Sequence, residues 1–138
     1  MPEAAAKEGD NITGKSTVWV QPGSSPTTVP FTYNGSIDNS FSPNVFIMGK
    51  HAAIVGSKAT TNPVPPVPNL LSPIDNPVDN KIATITTGSS TVFINNKSAA
   101  RNKDKAEACD FSTTPSPGKC DKKQNGNVDA TGSVYIGG

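Results

Sequence analysis

The sequence predicts an all-β fold, a small domain of short strands and hairpins with approximate threefold symmetry. The main observation is a repeat. The motif at residues 45–53 returns 47 positions later at residues 92–100, and nine of the 18 positions from Ser42 to Ala59 are identical in the second copy. Self-similarity at a fixed offset is typical of repeat architectures. The 12 glycines and 13 prolines among 138 residues favour turns and short strands over long helices.

A third copy of the motif is split between the two ends of the chain. Residues 4–10 match the back half of the repeat, and residues 132–138 match its front half. For the two halves to form one unit they must lie side by side, so we expect the chain to close into a ring of three units. A unit that cannot bury its apolar side chains alone normally needs about three copies to close a core. We therefore expect one domain over residues 1–138.

Composition limits the class of protein. Only 33% of the residues are hydrophobic and 17% are charged, and the share of glycine plus proline approaches the range in which disorder is the alternative. The periodic β-branched and aromatic positions argue against disorder. A net charge of +1 gives no electrostatic reason to expect nucleic acid or an anionic membrane as a partner. The chain has no run of 18 apolar residues, and its first residues lack the apolar core of a signal peptide. We expect synthesis in the cytoplasm without a signal peptide.

Five segments have the composition of short strands: 17–21, 45–48, 83–86, 91–95 and 133–136. Gly49, or its counterpart Asn96, can take the left-handed conformation that a hairpin turn demands. We expect the return strand to begin at the Ala-Ala pair, over residues 52–55 or 99–101, where small side chains let neighbouring backbones approach a crowded axis. Residues 103–108 could form a short helix.

Two proline-rich segments are predicted to be connections. Residues 62–73 cannot join a central strand because proline lacks an amide donor, so polyproline II is expected there. This segment is either a ligand for an aromatic groove or a stiff connector that covers apolar surface, and the connector is favoured because exposed apolar residues promote aggregation. Residues 21–30 are interpreted as a loop in the same way.

Four parts of the repeat carry a family resemblance: Gly-Lys-x-Ala-Ala at 49–53, Lys-Ser-Ala-Ala-Arg at 97–101, Ala-Ala-x-x-Gly-Asp at 5–10 and Val-Tyr-Ile-Gly-Gly at 134–138. Together they resemble PAAR-repeat proteins, which are named for a Pro-Ala-Ala-Arg motif, and the resemblance covers essentially the whole chain. Their arrangement is most similar to the small PAAR-like tip proteins of contractile injection systems, which include type VI secretion systems and phage tail-like particles.

The resemblance implies a cone-shaped β domain whose base docks on the blunt end of a trimeric spike protein, one tip per trimer. The point of the cone would lead the spike through a target membrane, with only transient membrane contact, and the particle would carry the tip to the extracellular space or the target cell. Effectors or cargo could attach to it. Segments expected in the core or near the base are Val45, Phe46 and Ile47, Val92, Phe93 and Ile94, and Val134, Tyr135 and Ile136.

The resemblance also raises the question of zinc, which related proteins bind near the apex through histidines and a cysteine. Zinc needs about four donors in a tetrahedral array, and this chain has one histidine, His51, and two cysteines, Cys109 and Cys120. Cys109 follows the Ala-Ala-Arg unit much as a family ligand does, whereas Thr17 and Phe31 stand where related sequences tend to place histidines.

No intact zinc site is therefore expected, although a Cys109 and Cys120 pair completed by Asp110 or Asp121 is an alternative. The two cysteines could instead form one bridge, or be free thiols in a reducing compartment. Packing, with Trp19 and Phe31 as contributors, or a disulfide would then take the place of the ion.

Catalysis has little support in the sequence. The sole histidine would have to be the base of any Ser, His and Asp set, Asp75 and Asp79 are ordinary turn residues, and no phosphate-binding Gly-rich loop is present. A structural, non-enzymatic tip protein is the first hypothesis. The alternative is a secreted or surface β-domain that binds a ligand through its proline-rich loops.

Overall fold

The computed structural model describes residues 2–20, 23–61, 81–110 and 121–137, and within these ranges the chain is all β, as predicted. The strands are β1 (Glu3–Ala4), β2 (Asn11–Val20), β3 (Thr27–Asn39), β4 (Phe46–Ile47), β5 (Lys50–His51), β6 (Lys58–Thr61), β7 (Ile82–Ile85), β8 (Phe93–Ile94), β9 (Lys97–Ser98), β10 (Lys105–Asp110), β11 (Asp121–Asp129) and β12 (Tyr135–Ile136). None of the described segments forms a helix long and apolar enough to cross a lipid bilayer.

Six of the strands close a barrel in the order β10, β11, β2, β3, β6, β7. All six neighbouring pairs are antiparallel, and the longest contact joins β2 to β3 over ten residue pairs from Asn11↔Ser36 to Val20↔Thr27. Strands β2, β6 and β10 each start directly after a repeat and lead away from it, while β3, β7 and β11 return. The barrel therefore has one end at the repeats and a far end around Val20, Thr61 and Asp110.

Three short hairpins, called here the base hairpins, stand at the repeat end of the barrel. They pair β4 with β5, β8 with β9, and β12 with β1, and their registers are equivalent, with Phe46↔His51, Phe93↔Ser98 and Tyr135↔Ala4. The third hairpin takes one strand from each end of the chain. The structure thus confirms the pseudo-threefold repeat and the division of its third copy between the two ends.

The turns of the first two base hairpins explain why glycine and asparagine occupy them. Gly49 and Asn96 have φ values of 79° and 67°, as the sequence predicted, and the preceding Met48 and Asn95 both have φ of 51°. Two consecutive left-handed residues define the type I′ turn that matches the twist of a two-residue hairpin. The return strands are Lys50–His51 and Lys97–Ser98. The expectation that the alanine pairs begin these strands is wrong, because the pairs lie beyond them at the axis.

The alanine pairs meet at the pseudo-threefold axis. The backbone N–H of Ala6 donates to the carbonyl of Ala100, Ala100 to Ala53, and Ala53 to Ala6, each at 3.0 Å, which makes a closed ring of hydrogen bonds. All three side chains are fully buried. We call these residues the alanine ring. Because three backbones converge there and interiors are close-packed, a side chain much larger than a methyl group has no space at these positions.

Each repeat ends in a turn that is held by a side chain. Asp10, Ser57 and Asp104 accept hydrogen bonds from the backbone N–H groups of Lys7, Ile54 and Arg101, at 3.0, 2.9 and 2.7 Å. Two of the three turns add an ion pair, Lys7–Asp10 at 3.2 Å and Arg101–Asp104 at 3.1 Å. The side-chain hydrogen bond to Asp104 raises the pKa of the Arg101 guanidinium above its ordinary value. The same hydrogen bond between a side chain and a backbone N–H group therefore closes all three units.

Apolar side chains form two clusters around the axis. Ile47, Ile94 and Ile136 pack with the small residues of the repeats beneath the base hairpins, and the larger cluster fills the barrel around the alanine ring. Ile37, Ile85 and Val128 occupy equivalent positions in the barrel cluster, on β3, β7 and β11. The threefold pattern is therefore present in the apolar side chains of both clusters as well as in the hydrogen bonds of the alanine ring.

Tyr33 breaks the threefold pattern inside the barrel. Its hydroxyl donates to Oδ1 of Asn125 at 2.7 Å, and burial raises the pKa of its phenol to about 12. A methyl group added at Gly14 or Gly126 would overlap this hydroxyl. Glycine is required at these two positions because the Tyr33 ring crosses the space that a side chain would fill.

Some predicted elements were wrong or incomplete. Residues 103–108 form no helix, since Lys105–Asp110 is strand β10, which pairs with β7 and β11. The loop predicted over residues 21–30 gives way to strand at Thr27, and β6 and β11 were not predicted at all. The proline-rich segment 62–73 and the turn residues Asp75 and Asp79 lie outside the described residues.

Candidate functional site

In the base hairpins, strand alternation places some side chains in the core and exposes others. Successive residues of a strand point to opposite faces, so the three isoleucines face the core, with 7–9% of their surface exposed, while the preceding aromatic residues face outward. Phe46 is 56% exposed, Phe93 59% and Tyr135 64%. Three aromatic rings thus stand at equivalent positions around the pseudo-threefold axis.

Three further apolar side chains extend this surface. Met48 is 56% exposed at a hairpin turn, and Val92 and Val134 directly precede the second and third rings. These six residues are all of the large, exposed hydrophobic residues within the part of the chain that the structure describes. We call the surface made by Phe46, Met48, Val92, Phe93, Val134 and Tyr135 the base. A concentration of exposed apolar surface in one place is typical of an interaction site.

Each base hairpin is held by the repeat beside it. The Ser42 hydroxyl donates to Oδ1 of Asn95 in the second turn, and the Ser89 hydroxyl donates to the carbonyl of Gly137 at 2.7 Å. At the remaining junction the Ser133 hydroxyl lies 3.9 Å from the Met48 sulfur. Because these contacts run cyclically from hairpin to hairpin, the three rings are held in a defined triangle without a continuous sheet between them.

The first repeat departs from threefold equivalence at His51, whose counterparts are Ser98 and Ala4. Its ring is stacked on Phe41, with centroids 4.7 Å apart, and lies 4.6 Å from the ring of Phe46. Nδ1 lies 2.7 Å from the carbonyl oxygen of Ser42, and since a carbonyl only accepts, this nitrogen carries the proton. His51 therefore orients the Phe46 ring.

Charged residues flank the rings unequally. Lys50, Lys97 and Glu3 occupy equivalent positions in the three base hairpins. The two lysines are exposed, whereas Glu3 is half-buried and accepts a hydrogen bond of 3.5 Å from Asn102. The apolar triangle is therefore symmetric, and the charge around it is not.

The far end of the barrel has a different composition. Cys109 is buried on β10, where Ser16 donates to its carbonyl oxygen at 2.8 Å. The neighbouring Asp110 accepts a hydrogen bond of 2.9 Å from Thr17 and lies 3.6 Å from the Lys123 ammonium. These polar contacts join β10 to β2 and β11 at the end of the barrel that is opposite to the base.

The described residues at this end do not fit a zinc ion. Thr17, which stands at a proposed family ligand position, is engaged with Asp110, and Phe31, which stands at the other, packs against the barrel core. Cys109 is disulfide-bonded and offers no thiolate. Within the described ranges no group of three or more His, Cys, Asp and Glu side chains could hold a metal.

Two parts of the zinc hypothesis lie beyond the described structure, namely Cys120 and the side chains of Trp19 and Asp121. Of the alternatives left open for the cysteines, the structure has Cys109 in a disulfide, which agrees with a bridge; the expectation of free thiols in a reducing compartment stays a prediction.

Sequence reasoning located the base segments but did not separate their side chains. The nine predicted residues divide by burial: the three isoleucines belong to the core, the three aromatic residues with Val92 and Val134 are exposed, and Val45 is partly buried against the cluster of the isoleucines. Strand alternation could have separated the aromatic residue from the isoleucine in each triplet, but it would have placed Val92 and Val134 with the isoleucines, whereas both are exposed. Met48 was missed because a methionine at a turn carries no periodic signal, and Tyr33 was missed because its partners, Gly14, Asn125 and Gly126, are distant in sequence.

Comparison with known proteins agrees with this architecture. The family model described as the PAAR motif matches residues 4–110, well over half of the chain. No curated protein and no solved structure matches it. The PAAR motif is characteristic of the spike-tip proteins of type VI secretion systems, which are structural proteins of machinery delivered outside the cell, and some family members bind zinc. With its three repeats arranged around the alanine ring, this chain belongs to the PAAR-motif family.

Proposed function

We propose that this protein is a structural tip that caps the trimeric spike of a contractile injection system, with one copy bound to each trimer through the base. The observation that carries the proposal is the triangle of exposed rings, Phe46, Phe93 and Tyr135, at equivalent positions around one axis. Assembly into the particle would follow synthesis in the cytoplasm, and contact with the target membrane would be brief.

Symmetry supports a trimeric partner. A homotrimer ends in three identical surfaces related by a threefold axis, and a single chain can satisfy all three only if it presents three similar surfaces itself. The three base hairpins have the same register and the same order of exposed ring and buried isoleucine. Each hairpin would contact one spike subunit.

The chemistry of the base supports docking by apolar contact. Aromatic residues are enriched among the residues that dominate binding energy at protein interfaces, because they bury much area with little loss of conformational entropy. The rings are held by cyclic contacts between neighbouring repeats, so little ordering is needed when the partner binds. Val92, Val134 and Met48 would fill the space between the rings.

The axis of the tip is closed. Ala6, Ala53 and Ala100 are fully buried and their backbones are hydrogen-bonded to one another around the axis. We therefore expect the tip to end the spike as a solid cap, so that effectors or cargo, if carried, attach to its outside. The alternative of a ligand-binding domain that uses proline-rich loops has no supporting observation among the described residues.

Native mass spectrometry of the tip mixed with its trimeric spike protein tests the proposal. The expected complex contains one tip and three spike chains. Replacing Phe46, Phe93 and Tyr135 together with serine is expected to abolish the complex while the tip stays folded, because these side chains are mostly exposed.

The matched control replaces three exposed barrel residues, Lys15, Thr32 and Lys122, with serine or alanine. This variant is expected to bind as the original chain does. A complex with three tips per trimer, or binding lost in the barrel variant and kept in the base variant, would rule out docking through the base.

A further inference from the structure

The far end of the barrel is cross-linked where a zinc site would be expected from the family. Cys109 is 4% exposed, lies opposite Lys122 in the β10–β11 ladder, and is disulfide-bonded. Among the described residues, the pair Asp110↔Asp121 follows it in that ladder. The bond therefore acts on the β10–β11 pair at the far end of the described barrel.

The surroundings of Cys109 hold its backbone from a second strand. Ser16 donates to its carbonyl oxygen at 2.8 Å, and Thr17 donates to the carboxylate of the next residue, Asp110, at 2.9 Å. Both donors lie on β2, which contacts β10 across the barrel. These two hydrogen bonds lie next to Cys109, whereas the alanine ring lies at the repeat end of the barrel.

The described residues differ from a metal site in the donor atoms that they supply. The single histidine lies beside the base, stacked on Phe41 and in contact with the tilted ring of Phe46, and the described residues bring no three ligand-type side chains together. A disulfide and a metal both join distant parts of a chain, but they respond to different agents: a disulfide to reductants and a metal to chelators.

We propose that oxidation at Cys109 closes the far end of the barrel in place of zinc, so that this end is ordered in the oxidised protein and frays in the reduced one while the base keeps its structure. The chain contains one other cysteine, Cys120, which lies outside the described residues. The tip would then gain its final rigidity on leaving a reducing compartment for an oxidising one. This inference concerns the barrel alone and does not depend on spike docking.

The chemistry balances with glutathione disulfide as the oxidant. The Cys109 thiolate attacks one sulfur of glutathione disulfide and releases one glutathione, and the second thiolate of the chain displaces the other glutathione from the mixed disulfide. Two protein thiols are oxidised to one disulfide, one glutathione disulfide is reduced to two glutathiones, and the two protons leave the protein thiols for the released glutathiones.

Thermal unfolding of the full chain in matched buffers tests the proposal. Tris(2-carboxyethyl)phosphine is expected to lower the Tm by about 10 °C, which is the typical effect of removing one disulfide from a domain of this length, whereas EDTA or added zinc leaves it unchanged. Cys109→Ser and Cys120→Ser are each expected to unfold at the Tm of the reduced protein and to show no response to the reductant.

Hydrogen exchange locates the effect. In the reduced protein the amides of Cys109, Asp110 and Lys123 are expected to exchange at least about tenfold faster, while those of Ala53 and Ala100 change by less than about twofold. Three results would each overturn the proposal: a Tm that falls with EDTA, a Tm that does not change with the reductant, or amide exchange that is accelerated as much at the alanine ring as at the far end.

Discussion

The base and the far end of the barrel are built differently from the same repeats. At the base, three hairpins present equivalent aromatic residues, each over a buried isoleucine. At the far end, the described contacts are not threefold: β10 carries the disulfide-bonded Cys109, and Ser16 and Thr17 of β2 donate to its carbonyl oxygen and to Asp110. Threefold similarity has been kept where the chain would meet a symmetric partner and in the layers that close its own axis. The far end, which would meet no symmetric partner, is free of that constraint.

Disrupting the alanine ring should have the largest effect on stability, because the base and the barrel are both built around this ring. Ala100→Leu adds three carbon atoms where three backbones meet and no surface is exposed, so we expect a loss of at least about 3 kcal/mol and, in a domain of this size, little folded protein. Circular dichroism and solubility report it. Lys97→Leu, an exposed site on the same repeat, is the control and should fold normally.

Replacing the buried isoleucine of one base hairpin at a time tests whether the split repeat contributes as much to stability as the two intact repeats. Ile47→Ser, Ile94→Ser and Ile136→Ser should each cost about 3–5 kcal/mol of unfolding free energy, since the three side chains are buried to the same extent. Tyr135→Ser, next to Ile136 but exposed, should cost less than about 1 kcal/mol. Urea unfolding measures all four. A much smaller cost for Ile136→Ser than for Ile47→Ser would mean that the third repeat is not an equal member of the core.

A change inside the barrel that leaves the base untouched sharpens the same comparison. Tyr33→Phe removes the hydroxyl that pairs with Asn125, whose Nδ2 is buried without a hydrogen-bond partner among the described residues. We expect a loss of about 1–3 kcal/mol from leaving Asn125 unpaired, with spike binding unchanged. Unfolding and binding are measured on the same sample. Weaker binding at full stability would contradict the separation of the two regions.

Alkaline pH should weaken the barrel through the same residue. Burial raises the pKa of the Tyr33 phenol from 10.0 to about 12, so above pH 10 the unfolded chain releases a proton that the folded chain retains. The contribution to stability is complete below pH 10 and is lost as the pH rises to about 12. The difference in unfolding free energy between the original chain and Tyr33→Phe should therefore shrink over this range. A constant difference would show that the phenol titrates alike in both states.

The sequence was sufficient for the parts of the fold that repeat. The 47-residue offset and the matching ends predicted three units and their closure, and the turn positions Gly49 and Asn96 were confirmed as left-handed. Residues 105–110 could not be assigned from local preference, because a segment of Lys, Ala and Glu favours a helix in isolation and becomes a strand only through its neighbours β7 and β11. The start of strand β3 was not predicted because it contains Pro30, which pairs with Thr17 in the ladder between β2 and β3.

The candidate site was predicted as segments rather than as side chains. The motif marked the three Val-aromatic-Ile triplets, but which member faces outward depends on the strand alternation within each two-stranded hairpin. The role of His51 beside Phe46 depends on Phe41, ten residues earlier, and no motif links them. The state of Cys109 depends on its redox environment, which a sequence does not record.

The central claim, that three equivalent positions of one chain meet three identical spike subunits, is tested most directly by site-specific photocrosslinking. A benzophenone amino acid is placed at residue 46, 93 or 135 in three separate variants, and each is irradiated in complex with the spike trimer. If the claim is correct, all three variants crosslink to the same residues of the spike chain with similar yields. Crosslinks to different spike residues from the three positions, or from one position alone, would contradict it.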